Sequence, residues 1–242
     1  MAPRASSAKG ESAVRFQGFA DKGGRFFEEL TLHNHRDWFE AHRDQYQEGW
    51  LQPMQTLFAE VRGRLARVYP GDAIEKPKVF RIHRDIRFSK DKTPYKTHIG
   101  GLLTLAAATG GRSQVEVPAA LYFHVSHTEI FAAAGLYGMD PGTLASHRRA
   151  LLDPRRGREL DRILAALRKK GFAIEARESL KRPPPGVDPE HPRVELLRMK
   201  GLIAVSPELP RKLLASARLV DRLAEIATAC APLNRWLLRV CG

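Results

Sequence analysis

AALYFHVSHTEIFAAAGL, residues 119–136, reads as two extended runs joined by a tight polar turn. Segments 119–125 and 129–136 are rich in aromatic, β-branched and small apolar residues, and Ser126 and His127 interrupt them, which predicts a β-hairpin. Upstream, 99–107 is a small-apolar strand and 109–112 a turn. No helix-length segment separates these strands, so they pair antiparallel.

On either side of this block the period changes to that of a helix. Residues 24–32 and the run after Asn34, with Asn34 as cap and Asp37 near the positive end, predict two short helices, the second carrying Trp38, His42 and Tyr46 on one face. Gly49 and Pro53 mark a break, after which Leu51, Met54, Phe58, Val61, Leu65 and Val68 recur at intervals of three and four. Beyond the hairpin, Asp140–Pro141 and Asp153–Pro154 fit cap and first-turn positions of two helices, the second with a stripe of Leu160, Ile163, Leu164 and Leu167. The stretch 180–192 is too rich in proline for regular structure, 194–199 reads as a short helix and 201–205 as a strand. Two terminal helices follow, one with Leu219, Leu223 and Ile226, the next with Leu233, Trp236, Leu237 and Val240. Helices, strands, then helices is the order of an α+β fold: a single domain over 13–242, with an antiparallel sheet of about four to six strands flanked by N-terminal and C-terminal helices. Residues 1–12 are expected to be a disordered tail.

The chain of 242 residues carries a formal net charge of +13 and a pI near 10.1, which favours anionic partners. Its two cysteines, Cys230 and Cys241, form no metal or redox spacing, no apolar run reaches the length of a membrane helix, and the N-terminus lacks the apolar core of a signal peptide. A soluble, cytoplasmic protein with no membrane partner is the expectation.

The charge concentrates in 76–98, KPKVFRIHRDIRFSKDKTPYKTH, where eight Lys and Arg stand against Asp85 and Asp91. Read as a strand over 79–88, this stretch alternates, with Phe80, Ile82, Ile86 and Phe88 on one face and Arg81, His83, Asp85 and Arg87 on the other; only Arg84 breaks the pattern. A polar loop over 89–97 adds Ser89, Lys92, Tyr95 and Lys96. One reading is a cleft for a phosphate or carboxylate, with Arg81, Arg84 and Arg87 as planar forks, Lys92 and Lys96 as point charges, and Ser89 and Tyr95 as neutral donors. Asp85, His98 or Glu195 would then be the general acid or base if there is a reaction. Lys181, Arg182 and Lys200, with His191 near them, would complete the cleft from across the fold. A second reading is sequence-independent nucleic-acid binding, with a stripe through Arg148, Arg149, Arg155, Arg156 and Lys169. A third is a structural or partner-binding domain in which Asp85 pairs with the arginines in an internal network.

Other patterns carry less. Ser89 and Lys92 stand at Ser-x-x-Lys spacing, but that chemistry needs the serine at a helix start and this segment reads as a loop. His33, His35 and His42, with Asp37 and Asp44, lack a recognised ligand spacing, so no metal is expected. His124 and His127 flank the hairpin turn and are weak candidates. There is no dinucleotide fingerprint, P-loop or nucleophile elbow, so no cofactor is expected.

Four segments together, HNHRDWFEAHRDQY at 33–46, RIHRDIRFSKDKTPYKTH at 81–98, LYFHVS with AAAGLYGMDPGTLASHRRAL at 121–151, and LKRPPPGVDPEHPRVELLRMK at 180–200, resemble the domain of unknown function 2461 family of bacterial and fungal proteins. The resemblance covers nearly everything after the tail and implies no particular reaction. The sequence departs from the family's form at His83, where tyrosine is common, at His35, where asparagine is common, and at AAAG, where a glycine-rich run is usual. These departures argue against essential roles for His83 and His35.

Overall fold

A computed structural model describes residues 15–21, 24–69, 74–105 and 117–241. The expected tail at 1–12 and the turn at 109–112 lie outside them.

The fold is α+β, with one antiparallel sheet flanked by helices. The N-terminal helices are α1 (Arg25–Leu32), α2 (Arg36–Ala41), α3 (Arg43–Tyr46) and, after a π-turn at Gln47–Leu51, α4 (Gln52–Leu65). Strands β1 (Lys78–Val79), β2 (His98–Thr104), β3 (Ala119–Ser126) and β4 (Ile130–Leu136) precede α5 (Pro141–Leu152) and α6 (Pro154–Lys169). Then come β5 (Ala173–Glu175), α7 (Val194–Arg198), β6 (Leu202–Val205), a 3-10 turn at Arg211–Ala215 and α8 (Arg218–Cys241). The six strands lie in the order β1-β2-β3-β4-β6-β5, each pair antiparallel.

Alternation gives the sheet two unlike faces. Ile99, Leu103, Leu121, Phe123, Val125, Ile130, Ala132 and Ala134 are buried on the face that meets α4 and α8. Gly101 is on that face because the Phe58 ring of α4 lies flush against the strand; a Cβ there would sit 2.4 Å from the ring, and Phe58 is fully buried and cannot swing away. Gly135 of β4 has φ +122°, and a Cβ would fall 2.3 Å from the Leu202 carbonyl of β6, so only glycine lets these strands join. On the opposite face His98, Leu102, Tyr122, Phe131, Ile203 and Val205 are half-buried.

Both predicted Asp-Pro caps form. Asp140 accepts from Gly142 N–H at 2.8 Å and Thr143 N–H at 3.1 Å, and Asp153 accepts from Arg155 N–H at 3.1 Å and Arg156 N–H at 2.7 Å. The cap of α2 is His35, not Asn34, with Nδ1 accepting from Trp38 N–H at 3.4 Å.

Three further expectations are corrected. The break at Gly49 and Pro53 is a continuous helical path: the π-turn inserts Trp50 into the core, and Pro53 sits in the first turn of α4, where its fixed φ suits the helix. The two C-terminal helices are one, since Leu219, Leu223, Ile226, Cys230, Leu233 and Leu237 form one buried stripe that outweighs the bond lost at Pro232. The strand at 79–88 ends at Val79. Ile82 is 4% exposed but Phe88 is 96% exposed, so the anticipated apolar face does not exist. Asx-type bonds, in which Arg87 N–H donates to Asp85 Oδ1 (3.3 Å) and Thr93 N–H to Asp91 Oδ1 (2.9 Å), bend the backbone, and Pro94 offers no donor to a ladder. Edge strand β5 was not foreseen, being three residues long with no apolar alternation.

Gly101→Ala should destabilise the protein by about 1–3 kcal/mol, read as a lower urea midpoint. Phe58→Leu in the same chain should recover part of that loss; equal losses in the single and double variants would contradict the packing.

Candidate functional site

Residues 80–97 form an arm that folds back on itself at the β1–β2 edge. Phe80 N–H donates to the Gly100 carbonyl, Arg84 N–H to Pro94 and Lys96 N–H to Ile82, at 2.9, 2.8 and 2.8 Å. The arm is fastened to the N-terminal helices by Asn34, whose Nδ2 donates to the Tyr95 carbonyl while its Oδ1 accepts from Tyr95 N–H, both at 3.0 Å. Tyr95 is buried and its ring stacks on Phe39, centroids 4.2 Å apart. Asn34 therefore serves the arm rather than a helix end.

Most of the arm's charge is engaged within it. Arg87 forks onto Asp85, Nε to Oδ1 at 3.0 Å and Nη2 to Oδ2 at 2.7 Å, which lowers the Asp85 pKa. Arg84 reaches Asp91 at 2.5 Å and the Thr93 carbonyl at 3.1 Å. The Thr93 N–H bond and Arg84 bring Asp91 down to about 2. Lys92 Nζ donates to the Ile86 carbonyl at 3.0 Å, and Ser89 Oγ is 3.5 Å from Arg84 Nη2, so the Ser-x-x-Lys spacing makes no serine–lysine contact. These residues lie in no helix, as that chemistry would require. Lys96 Nζ donates to the Arg81 carbonyl at 2.9 Å. The Arg81 guanidinium makes no hydrogen bond to any described residue, though it lies within electrostatic reach of Asp85 and Lys96.

Beside Arg81 and Lys96, the sheet face turned away from α4 and α8 carries a cluster of rings. The β2–β3–β4 register lines up Gly100, His124 and Phe131 in one row and Leu102, Tyr122 and Ala133 in the next. His124 stacks on Phe131 at 4.8 Å and lies 4.5 Å from the His98 ring, and Phe80 is 6.3 Å from Tyr122. The Tyr122 hydroxyl and His124 Nδ1 are 3.1 Å apart. Lys96 and Lys78 hold their ammonium groups 5.6 and 5.9 Å from the Phe80 centroid. Gly100 keeps the row open, because a Cβ there would come within 3.2 Å of the Tyr122 hydroxyl.

Burial sets the protonation here. It brings His98 down to about 4, with His124 and Lys96 adding to the effect, and His124 down to about 4. It raises Tyr122 to about 12, and lowers Lys96 with help from Arg81. At neutral pH the site thus offers two neutral imidazoles, a phenol and two cations. Glu129 Oε1 stands 3.3 Å from His124 Nε2, outside hydrogen-bonding geometry.

The second predicted stretch does not meet this one. Lys200 pairs with Glu178 at 3.2 Å and Glu195 with Arg198 at 2.8 Å, while Lys181 and Arg182 are exposed in the loop between. Strands β3 and β4 separate β2 from β6, ~14 Å at the usual strand spacing. Lys200 precedes β6 at the Leu136 end of β4, whereas Lys96 precedes β2 at the Ser126 end of β3. The two stretches occupy opposite corners of the sheet. His191 Nδ1 accepts from Arg193 N–H at 3.0 Å, a local turn bond.

Among the described residues no group of three His, Cys, Asp or Glu is arranged to hold a metal, and no helix is long and apolar enough to cross a membrane. His42 stacks on Trp38 at 4.1 Å. Of the proposed basic stripe, Arg148 is half-buried and donates to the Leu197 carbonyl at 3.0 Å; Arg149, Arg155, Arg156 and Lys169 are exposed on α5 and α6. His124, read from sequence as flanking the turn, lies inside β3. The available signal was its i,i+2 spacing from Tyr122, together with pairing to the strand that begins at His98.

A family model described as a conserved hypothetical protein (DUF2461) matches residues 23–236, and the chain belongs to that family. No curated protein matches it.

Asn34→Ala should free the arm at a cost of about 1–3 kcal/mol, seen as faster hydrogen exchange at the Tyr95 amide; unchanged exchange would refute the clamp. Stability should also depend on acid. His124 and the fully buried His147 of α5 both have folded pKa values near 4, below the ordinary 6.5. Between those values the unfolded chain binds the extra protons, so stability is complete above pH 6.5 and falls as pH drops toward 4. The slope should approach about 1.4 kcal/mol per pH unit for each linked histidine, and His147→Leu should make chemical denaturation less pH-dependent across that window.

Proposed function

We propose that the protein binds an anionic ligand, a phosphate or carboxylate joined to a flat apolar body, at the corner formed by Arg81, Lys96, His98, His124, Tyr122 and Phe80. The observation that carries this reading is the Arg81–Lys96 pair. The Lys96 ammonium is held against the Arg81 carbonyl within electrostatic reach of the Arg81 guanidinium, the Lys96 pKa is lowered by burial and by Arg81, and among the described residues neither head group forms a salt bridge. Holding like charges together costs free energy that a bound anion would return. The rings supply a platform for the flat part, and the Tyr122 hydroxyl and the imidazoles supply neutral donors and acceptors. In this reading Arg84 and Arg87, occupied by Asp91 and Asp85, shape the arm, and the ligand's charge falls to Arg81 and Lys96. If a reaction takes place, the neutral imidazole of His98 or of His124 is the group to accept a proton.

A second reading is a single-stranded nucleic acid, whose bases would stack on Phe80, Tyr122 and Phe131 while Lys78, Arg81 and Lys96 meet phosphates. The aromatic content of the open face favours it over duplex binding along α5 and α6.

Thermal-shift screening against nucleotides, phosphorylated metabolites, aromatic carboxylates and short oligonucleotides tests both. A ligand at ~100 times its Kd should stabilise the protein by about 2.7 kcal/mol. Lys96→Met and Arg81→Ala should each weaken binding roughly tenfold or more without unfolding the protein. An empty screen, or wild-type affinity in both variants, would refute the reading. Oligonucleotides binding far better than mononucleotides would select the second form.

A further inference from the structure

A separate surface lies on the far side of the helical layer. Between α6 and α8 runs a furrow of about 710 Å³, floored by Ile163, Ala166, Leu167, Ala229 and Pro232. It continues past Lys170 into a second stretch of about 750 Å³ that reaches Asp221, Glu225 and Thr228. The floor is small and apolar, and the walls are charged.

The charge balance along the furrow is uneven. Each of its carboxylates is already paired: Glu159 with Arg239 and Asp221 with Arg64, both at 2.5 Å, and Glu225 with Arg222 at 3.2 Å. Among the described residues Arg155, Arg162, Lys170 and Arg235 form no salt bridge, although Arg155 lies within electrostatic reach of Asp153; Arg162 and Arg235 donate only to main-chain carbonyls, at 3.3 and 2.8 Å. Four cations therefore border an apolar floor over ~22 Å, the rise of the helix from Arg155 to Lys170.

We infer that the furrow between α6 and α8 seats an acidic amphipathic helix of a protein partner. The small residues Ala166, Ala229 and Pro232 let a third helix approach closely, and the four cations without a salt bridge meet carboxylates on its flanks. The length matches a partner helix of about 15 residues. A second copy of this chain is a poor occupant because each copy carries a net charge of +13, and the first 14 residues, MAPRASSAKGESAV, hold Arg4 and Lys9 against Glu11 alone. Single-stranded nucleic acid would need rings to stack on, and no Phe, Tyr, Trp or His lines the furrow.

Fluorescence anisotropy can test this with a labelled helical peptide of about 15 residues, leucine and alanine along one face and glutamate elsewhere. It should bind the full-length protein, while a scrambled peptide of the same composition binds at least about tenfold more weakly. The double variant Arg162→Glu/Lys170→Glu should lose about tenfold or more, as should Ala166→Trp, which fills the floor without changing charge. Arg168→Glu, exposed on α6 away from the furrow, should change affinity less than about twofold. Lys96→Met should leave it unchanged, which separates this surface from the anion site; circular dichroism confirms that each variant is folded. No binding by the wild type, equal binding of the scrambled peptide, an unaffected Ala166→Trp variant, or displacement by an oligouridine that binds more tightly would each overturn the inference.

Discussion

Sliding β2 by one residue against β3 would turn His98 and Leu102 toward α4 and put Ile99 and Leu103 into water, because side chains alternate with a period of two. The register that pairs His98 with Ser126 and Gly101 with Phe123 prevents this, and Phe58 enforces it by lying where any residue but glycine would need room. One face must be smooth and apolar for α4 and α8. The other is thereby released to carry histidines, a tyrosine and flanking cations. The candidate site exists because the core on the reverse side has fixed which residues face outward.

The arm shows a second constraint, competition between side chains and the ladder for backbone donors. Asp85 and Asp91 each take an N–H two residues on, and each also holds an arginine. A basic run is thus converted into a self-bonded loop whose arginines are largely occupied. Arg87, at the exposed tip beside Phe88, and the pair of exposed Arg81 and half-buried Lys96 have separate environments, although the sequence places Arg81, Arg87 and Lys96 in one cleft.

Much of the fold was legible because its signals are local. The hairpin, the two Asp-Pro caps and the stripe of α6 each depend on residues a few positions apart. The strand over 79–88 failed because alternation counted Phe80, Ile82, Ile86 and Phe88 as a face, while the bonds that bend the chain come from aspartates in the polar set. Of the candidate site, Lys96 and Arg81 were legible from charge density, and His98 as a possible acid or base. Tyr122 and His124 were not, since their relevance depends on strand pairing across more than twenty residues. The reach of Asn34 to Tyr95 spans 61 positions and has no local signature.

The π-turn at Gln47–Leu51 also has a bearing on how the chain tolerates change in length. A regular helix advances about 100° per residue, so one additional residue ordinarily rotates everything downstream out of phase. A π-turn absorbs that residue in a widened loop of backbone and restores phase beyond it. Here Tyr46 and Trp50 are both buried, as are Met54, Leu57 and Phe58 beyond it, and Phe58 still meets Gly101 of the sheet. Losing a single residue between positions 47 and 51 would leave an uninterrupted α-helix with its angular setting intact and surrender only the seat of Trp50, whereas the same loss within α4 would turn Phe58 away from Gly101.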